Sequence, residues 1–265
     1  MDLGPIDLDL TLDCGQAFRW KKSGGAWTGV VKGELVRLEQ RGRRVDVETE
    51  LSSRDIESYF RTDDDLEEIG RDLDLDPVVR ELRKRFAGLR LLSQEPWECS
   101  ASFLLATNAN VPRIKKMIES VCKQFGHEIS PELFSFPTPK EILRRGKAAE
   151  NCGLGYRCDR FVKFAKEGTE RHLKFDAWRS LSYEGCVETL KQFDGIGDKV
   201  ADCIALFCLD HLEAFPIDVH IGRTLEEQYG VSGSYKTLAR WAREHFGLYA
   251  GYAQEYLYVS ARPRM

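Results

Sequence analysis

A glycine-containing turn between two apolar helical stripes is the feature that most constrains the fold of this chain. Apolar residues recur at three- and four-residue intervals over 183–193 and again over 199–209, which predicts two helices packed on one core. Between them lies Phe193-Asp-Gly-Ile-Gly-Asp-Lys199. Gly195 and Gly197 allow positive φ angles, and Ile196 can anchor the turn in the core. We therefore predict a helical hairpin over 183–209 whose outward backbone N–H groups suit a phosphate, although an ordinary αα-hairpin is the simpler alternative.

The remainder of the chain divides into a strand-rich beginning and a helical continuation. Alternating apolar residues predict strands at 17–20, 27–31, 34–39 and 44–48, followed by helices at 54–61 and 76–86, with Asp76-Pro77 as N-cap and first helical position. Helical periodicity then predicts helices at 97–105, 112–125, 139–152, 159–166, 183–193, 199–209, 219–229, 235–246 and 249–258. We predict an α+β chain with an N-terminal antiparallel-sheet domain over 1–94 and a larger all-helical domain over 95–265.

Composition narrows the class of protein without identifying a function. The net charge of −4 argues weakly against a nucleic-acid partner, but basic clusters occur locally, so charge alone decides nothing. No run of eighteen apolar residues is present, and the acidic N-terminus resembles neither a signal nor a transit peptide, so we expect an intracellular protein outside the membrane. The eight cysteines form no Cys-x-x-Cys pair and are expected to be reduced core residues. We expect no iron–sulfur cluster.

Lys199 falls in the first turn of the second hairpin helix, where the helix dipole disfavours a cation. It is either an amine nucleophile or a solvated, phosphate-contacting lysine. A nucleophilic lysine must be neutral, and neutralising an ordinary lysine near pH 7 needs roughly 4–5 kcal/mol. The dipole supplies only about 0.3–1 kcal/mol. Desolvation in a closed pocket, or a nearby cation, must supply the rest.

A second motif, Ala214-Phe-Pro-Ile-Asp-Val-His220, precedes the next predicted helix. Asp218 is expected to be the N-cap of that helix, and His220 a packing residue of its first turn. The Asp218 carboxylate could also stabilise positive charge that develops on a sugar ring as its base departs. The two roles of Asp218 are compatible.

Several motifs in a fixed order resemble one family of DNA repair enzymes. The hairpin and the Pro216-Ile-Asp-Val-His220 loop are similar to those of helix-hairpin-helix DNA glycosylases that carry a Gly/Pro-Asp loop. Within that superfamily the chain resembles eukaryotic-type 8-oxoguanine DNA glycosylase/AP lyases. The further matching motifs are Cys14-Gly-Gln-Ala-Phe-Arg-Trp20, Thr107-Asn-Ala-Asn-Val-Pro-Arg113, Gly153-Leu-Gly-Tyr-Arg157 and Tyr249-Ala-Gly-Tyr-Ala-Gln254.

The resemblance implies a fold, a partner and a reaction. The fold would be a TBP-like antiparallel-sheet domain followed by the all-helical glycosylase domain. The enzyme would act as a monomer on double-stranded DNA containing a damaged base, flip that base out of the duplex and excise it. The residue at Lys199 would attack C1′ and form a Schiff base, Asp218 would assist base departure, and β-elimination would then nick the strand. No cofactor is implied, and a structural cation at the hairpin is left open.

The resemblance also assigns the residues that would recognise the lesion. The backbone carbonyl of Gly15 would accept a hydrogen bond from N7–H of 8-oxoguanine, a hydrogen that guanine lacks, although a strand-initiating glycine is the simpler interpretation. Gln254 would read the Watson–Crick edge, while Cys203 and Tyr258 would sandwich the base; otherwise Gln254 and Tyr258 belong to an amphipathic helix with core aromatics.

Other matched positions concern the opposite strand. Asn108, Arg113 and Arg157 match residues that fill the vacated space and read the opposite cytosine, and Tyr156 matches a wedging tyrosine. A helix-end asparagine and two surface arginines are the simpler interpretation of the first three. The backbone at Gly195 and Gly197 would grip DNA.

This chain departs from the family pattern at several positions. Ala109 replaces the middle of three asparagines, and Ala17 and Pro112 replace more usual residues. Ala261 stands where a carboxylate would partner the histidine at His220, so the orientation of His220 is open. The compact chain suits an archaeal or bacterial enzyme of the cytoplasm or nucleoid better than a nuclear one.

Two alternative functions remain open from the sequence. One is a glycosylase of the same fold that removes another damaged base, although Lys199 argues against a monofunctional alkylbase enzyme. The other is a non-catalytic helix-hairpin-helix module that only binds DNA. Trapping of a covalent complex distinguishes them.

Overall fold

An antiparallel sheet forms the first structural layer of the computed structural model, which describes residues 1–170 and 173–262. Its four strands follow one another in the order β1-β2-β3-β4. The strands are β1 Lys21–Ser23, β2 Ala26–Val31, β3 Glu34–Arg41 and β4 Arg44–Glu48, with a separate hairpin of β5 Glu128–Ser130 and β6 Leu133–Phe134. Burial alternates along β3, where Val36 and Leu38 point inward, because successive side chains of a strand face opposite sides of the sheet.

Helices form most of the rest of the described chain. They are α1 Leu8–Leu12, α2 Ser53–Tyr59, α3 Leu66–Leu73, α4 Pro77–Arg85, α5 Pro96–Leu105, α6 Val111–Phe125, α7 Pro139–Arg144, α8 Arg157–Glu170, α9 Phe175–Arg179, α10 Tyr183–Leu190, α11 Asp198–Cys208, α12 Val219–Tyr229, α13 Tyr235–Phe246 and α14 Ala250–Ala261. The predicted cap at Asp76 is confirmed: its side chain accepts a hydrogen bond from the Val79 N–H, and Pro77 begins α4. The α+β architecture predicted from the sequence is therefore confirmed.

Two buried clusters hold these elements together. The smaller one lies under the sheet and includes Trp27, Leu38 and Phe60. The larger one is formed mainly by α5 to α14, but it also takes in residues 69–91, because α3 and α4 pack against the C-terminal helices. A division of the chain at residue 94 stays a prediction, since the larger core draws on both sides of it.

Two predicted elements are wrong in their details. The segment 17–20 is not a strand; the ladder begins at Lys21. Ala17, Phe18 and Trp20 are all buried, so the alternation required of a half-exposed strand is absent. The predicted helix 139–152 breaks at Arg145 and continues as a 3-10 helix over Gly146–Cys152.

Other elements were not predicted at all. The helices α1 and α9 and the strands β5 and β6 were missed. Each has five residues or fewer, which is too short to show a periodic pattern of apolar residues. Helix α3 was also not predicted, and its first turn overlaps the acidic run Asp63–Glu68. There Asp65 caps the helix, accepting from the backbone N–H groups of Glu67 and Glu68.

The cysteines behave as the sequence predicts. All eight are free, and seven of them are buried, with Cys158 intermediate. None of the helices in the described part of the chain is long and apolar enough to cross a bilayer.

Candidate active site

The predicted hairpin lies between α10 and α11, and its two glycines have different roles. Gly195 has a φ of +89°, and a Cβ placed there would lie 2.7 Å from Leu104 Cδ1. Gly197 has a φ of −91°, so the expectation of a positive φ is wrong at this position. A Cβ at Gly197 would meet nothing within 4 Å. The fold therefore requires glycine at 195, whereas at 197 it leaves open space above the backbone.

Lys199 lies in the first turn of α11 and is exposed. One turn further on, Cys203 is 5% exposed. Burial raises the pKa of the Cys203 thiol to about 12, while the nearby Lys199 ammonium acts to lower it. Lys199 is thus close to Cys203, but in the protein alone its amine is exposed to water.

Asp218 begins α12, as predicted. Its Oδ1 accepts hydrogen bonds from the backbone N–H groups of His220 at 2.9 Å and Ile221 at 2.8 Å. Burial is the main cause of the raised pKa values of the Cys203 thiol and the Tyr258 phenol, and the negative charge of Asp218 raises both further. Asp218 and Lys199 therefore both lie near Cys203.

Gly15 lies against Tyr258 across the N-terminal and C-terminal parts of the chain. A Cβ at Gly15, where φ is +103°, would lie 3.5 Å from Cε1 and Oη of Tyr258. The next residue, Gln16, is 1% exposed; it donates to the Arg90 carbonyl at 2.9 Å and accepts from the Leu92 N–H at 2.8 Å. These bonds hold the Gly15 backbone in place.

Helix α14 carries two buried polar side chains close to Tyr258. Gln254 and Glu255 are 5% and 2% exposed, and within the described residues neither Oε1 atom has a hydrogen-bond partner. Both precede Tyr258 by about one helical turn, at spacings that place them beside it. Gln254 was predicted as a site residue, whereas Glu255 was missed. The sequence signal that could have identified Glu255 is that it is the one charged residue of α14.

A buried carboxylate links α11 to the Asp218 loop. Asp202 is 1% exposed and accepts hydrogen bonds from the hydroxyl groups of Tyr183 and Tyr235. The Tyr235 oxygen in turn accepts from the Ile217 N–H at 3.4 Å, next to Asp218. Asp202 therefore fixes the helix that bears Lys199 relative to the loop that bears Asp218.

A second cluster gathers three of the residues predicted to contact DNA. Asn108, at a φ of +51°, donates from Nδ2 to Tyr156 Oη at 3.2 Å. Arg157 is only 4% exposed; its Nε donates to the Thr107 carbonyl at 2.8 Å, and its guanidinium lies 4.5 Å from the centre of the Tyr156 ring. Tyr156 itself is 54% exposed. The Arg157 guanidinium is thus engaged within the protein, and Tyr156 is the group that projects.

This cluster adjoins the hairpin. The Arg160 guanidinium lies 5.6 Å from the Tyr156 ring, and Arg160 Nε is 3.8 Å from Oδ1 of Asp194 in the hairpin turn. Arg113 lies apart from these contacts, exposed in the first turn of α6. His220 and Ala261 both line one open groove.

Comparison with known proteins identifies the family. A family model described as the N-terminal domain of 8-oxoguanine DNA glycosylase matches residues 1–99. The N-glycosylase/DNA lyase of Arabidopsis thaliana is 30% identical over 97% of this chain and 78% of its own length. The chain belongs to the 8-oxoguanine DNA N-glycosylase/lyase family. A probable N-glycosylase/DNA lyase of Methanothermobacter thermautotrophicus is 27% identical over 98% of this chain and 95% of its own length.

Solved structures agree with this family assignment. The 8-oxoguanine glycosylase/lyase of Clostridium acetobutylicum, in complex with double-stranded DNA containing cytosine opposite 8-oxoG, has a TM-score of 0.91 at 30% identity. That match covers 97% of this chain and 92% of the other. A 3-methyladenine DNA glycosylase of Archaeoglobus fulgidus shares the fold, with a TM-score of 0.79 at 24% identity. The helix-hairpin-helix glycosylase fold expected from the motifs is confirmed.

No group of three or more His, Cys, Asp or Glu side chains suited to a metal ion occurs within residues 1–170 and 173–262. A structural cation at the hairpin stays a prediction. The residues around Cys203 include the amine of Lys199 and the carboxyl groups of Asp218 and Glu255.

Proposed function

We propose that this chain excises 8-oxoguanine from double-stranded DNA and then cleaves the strand as an AP lyase. Membership in the glycosylase/lyase family supports both activities. The observation that carries the assignment to this chain is the position of Lys199 and Asp218 near Cys203. Asp218 also acts on Tyr258, which lies against Gly15. The enzyme would act as a monomer in the compartment that contains the genomic DNA.

The reaction uses groups that the chain itself supplies. The Lys199 amine attacks C1′ of the flipped nucleotide, the glycosidic bond breaks, and the base departs with its bonding electrons. The Asp218 carboxylate lowers the energy of the positive charge that develops on the sugar. Nitrogen then loses a proton, and the C1′–O4′ bond breaks with its electron pair going to O4′, which takes up a proton, so that a Schiff base forms between Lys199 and C1′. Loss of a proton from C2′ then expels the phosphate from C3′ in the β-elimination. Because the fold leaves Lys199 exposed, bound DNA must provide the desolvation that neutralises its amine.

Discrimination between the lesion and guanine would depend on Gly15. Its carbonyl accepts from N7–H of 8-oxoguanine, and guanine would present an acceptor there instead. The anchoring of Gln16 to residues 90 and 92 supports this role, because a fixed carbonyl cannot turn away from an unfavourable partner. Gln254 faces the Watson–Crick edge, and Tyr258 and Cys203 contact the faces of the base.

The opposite strand would meet the second cluster. Tyr156 projects toward the opposite base, while Asn108 and Arg157 hold the backbone and ring around it. Arg113 would contact the strand from the start of α6. At Gly197 the open space above the backbone supports close approach of a phosphate to the hairpin.

Borohydride trapping tests the proposed mechanism. Wild type incubated with an 8-oxoguanine·cytosine duplex is expected to form a covalent adduct, and Lys199→Gln is expected to lose it while still binding the duplex. Lys191→Gln is the matched control, since Lys191 also lies at the hairpin but pairs with Glu188 and Asp198, each at 2.8 Å. An adduct that survives in Lys199→Gln would overturn the assignment of the nucleophile. Absence of any wild-type adduct would favour a DNA-binding module, and an adduct only with another lesion would change the substrate.

A further inference from the structure

Glu255 is a buried acid that the mechanism above does not use. It lies on α14 beside Gln254 and is 2% exposed. On one side it lies within hydrogen-bonding reach of the thiol of Cys14, the residue before Gly15. On the other, its charge acts on Cys203 and Tyr258. Glu255 is therefore enclosed by the same residues that surround the proposed base pocket.

Within residues 1–170 and 173–262, no cation donates a hydrogen bond to this carboxyl group. Arg262 acts on it through space, but the Arg262 guanidinium donates to the Asp13 carbonyl and lies 3.9 Å from the Asp13 carboxylate. Oε1 of Glu255 has no hydrogen-bond partner among the described residues. A buried carboxyl group with one unpaired oxygen destabilises a fold, and an apolar side chain would pack there at lower cost. The arrangement suggests that the partner is a ligand.

The adjacent acceptor on Gln254 indicates what that ligand presents. Among the described residues, two buried side-chain oxygens on consecutive positions of α14, Oε1 of Gln254 and Oε1 of Glu255, have no hydrogen-bond partner. Neighbouring acceptors match neighbouring donors. A guanine-type purine offers N1–H and N2–H₂ side by side on its Watson–Crick edge, whereas an adenine-type edge places an acceptor at N1.

We propose that Glu255 is a further specificity-determining residue, whose carboxylate accepts hydrogen bonds from the N1–H and N2–H₂ groups of the flipped purine alongside Gln254. This inference rests on the proposed function, because it assumes that a base enters this pocket. It assigns the selection of guanine-derived lesions to Glu255 and Gln254 together, and leaves the distinction between 8-oxoguanine and guanine to Gly15.

Ionisation of Glu255 adds a second, independent readout. Burial raises its pKa to about 7, with the Asp218 charge acting in the same direction and Cys14 and Arg262 opposing. The titratable and charged groups that face it are Cys14, Cys203, Asp218, Tyr258 and Arg262. Burial raises the pKa values of the two thiols and the phenol, so these stay protonated near neutral pH. Binding of N–H donors favours the ionised carboxylate, which offers more acceptor sites than the acid.

The test compares binding of two lesions that differ by one amino group. In a Lys199→Gln background, which prevents turnover, affinities are measured for duplexes containing 8-oxoguanine or 8-oxohypoxanthine, which lacks the 2-amino group. We expect the preference for 8-oxoguanine to fall by about 10- to 100-fold on adding Glu255→Ala, as for loss of a charge-assisted hydrogen bond. Glu255→Gln is expected to lose part of it. The preference should also increase as pH rises through about 7 with Glu255 present, and become flat without it.

A matched control separates pocket contacts from general damage. Glu98→Gln also alters a carboxyl group, a partly buried one on α5 that pairs with Arg19 at 2.9 Å, and it should leave the preference unchanged. An unchanged preference and pH response in both Glu255 variants would overturn the inference, even if wild type excises 8-oxoguanine. Absence of wild-type excision together with a Glu255-dependent preference would overturn the proposed function and keep the inference.

Discussion

At the scale of single residues, the active-site region contains groups whose burial works against stability. Glu255 is enclosed on α14, and Gln254 beside it also leaves an acceptor unpaired. Both cost free energy in the folded state, since water would satisfy them in the unfolded chain. Perturbed groups of this kind concentrate at functional sites. The stability of the protein should therefore report directly on Glu255.

The pH dependence of unfolding provides that report. The Glu255 pKa is about 7 in the folded state against an ordinary value of 4.5, so the unfolded chain loses its proton first as pH rises. Stability contributed by this group is present below about pH 4.5 and lost as pH rises through about 7, a loss of about 3 kcal/mol. Glu255→Gln should remove this loss and unfold at higher urea concentration than wild type at pH 8. Equal denaturation midpoints of the two proteins at pH 8 would contradict the burial of an ionisable group.

At the scale of elements, the hairpin shows how one glycine can serve the fold and the next a partner. Gly195 needs a positive φ and tolerates no Cβ because Leu104 and Arg160 approach it within 3 Å. Gly197 has an extended backbone and open space. The sequence motif makes the two glycines look equivalent, and only their surroundings distinguish them.

Alanine substitution should separate these roles. Gly195→Ala is expected to destabilise the protein by about 1–3 kcal/mol through strain and overpacking. Gly197→Ala should change the free energy of unfolding by less than about 0.5 kcal/mol but weaken DNA binding, because a methyl group would stand between the hairpin and a phosphate. Urea denaturation and fluorescence anisotropy with duplex DNA measure the two effects. Unimpaired DNA affinity of a folded Gly197→Ala protein would argue against a phosphate contact at this turn.

Asp218 shows how an element and a site share one side chain. Its Oδ1 caps α12, so the helix itself fixes the carboxylate beside Cys203. The hydrogen bonds from Tyr183 and Tyr235 to Asp202 hold α11 against the same loop. Packing of these helices, rather than local sequence, sets the relative positions of Lys199 and Asp218.

At the scale of the whole molecule, a net charge of −4 is compatible with DNA binding because the charges are unevenly distributed. Acidic side chains concentrate around α3, where Asp65, Glu67 and Glu68 lie. Basic groups lie by contrast at the proposed DNA-contacting cluster, with Arg160 beside the exposed Tyr156. Affinity for a phosphate backbone depends on such local groups rather than on the total charge.

The salt dependence of binding tests this view. Arg113→Ala should weaken binding to an 8-oxoguanine·cytosine duplex and make the slope of log K against log salt concentration smaller by about 1, as for loss of one cation from the DNA interface. Arg41→Ala is the control, because Arg41 lies on the N-terminal sheet and pairs with Glu39 at 3.0 Å. Equal slopes for Arg113→Ala and wild type would place Arg113 outside the DNA contact.

Local patterns account for much of what could be predicted. Helical periodicity located α10 to α13 within a few residues, and the cap at Asp76 and the N-cap at Asp218 were both foreseen, because these features depend on neighbours in the chain. The ordered motifs also identified the family. The strand predicted at 17–20 failed since Phe18 and Trp20 are both held by the tertiary core rather than by a ladder.

What the sequence alone determined is therefore most of the longer helices, the hairpin and the reactive residue types at Lys199 and Asp218. Tertiary structure decided which of these residues meet: it set Gly15 against Tyr258 from opposite ends of the chain, and it enclosed Glu255 among them. It also committed Arg157 to backbone carbonyls and left Lys199 exposed. The physical reason is that helix formation follows from near neighbours, whereas burial and pKa shifts depend on residues that only long-range packing brings together.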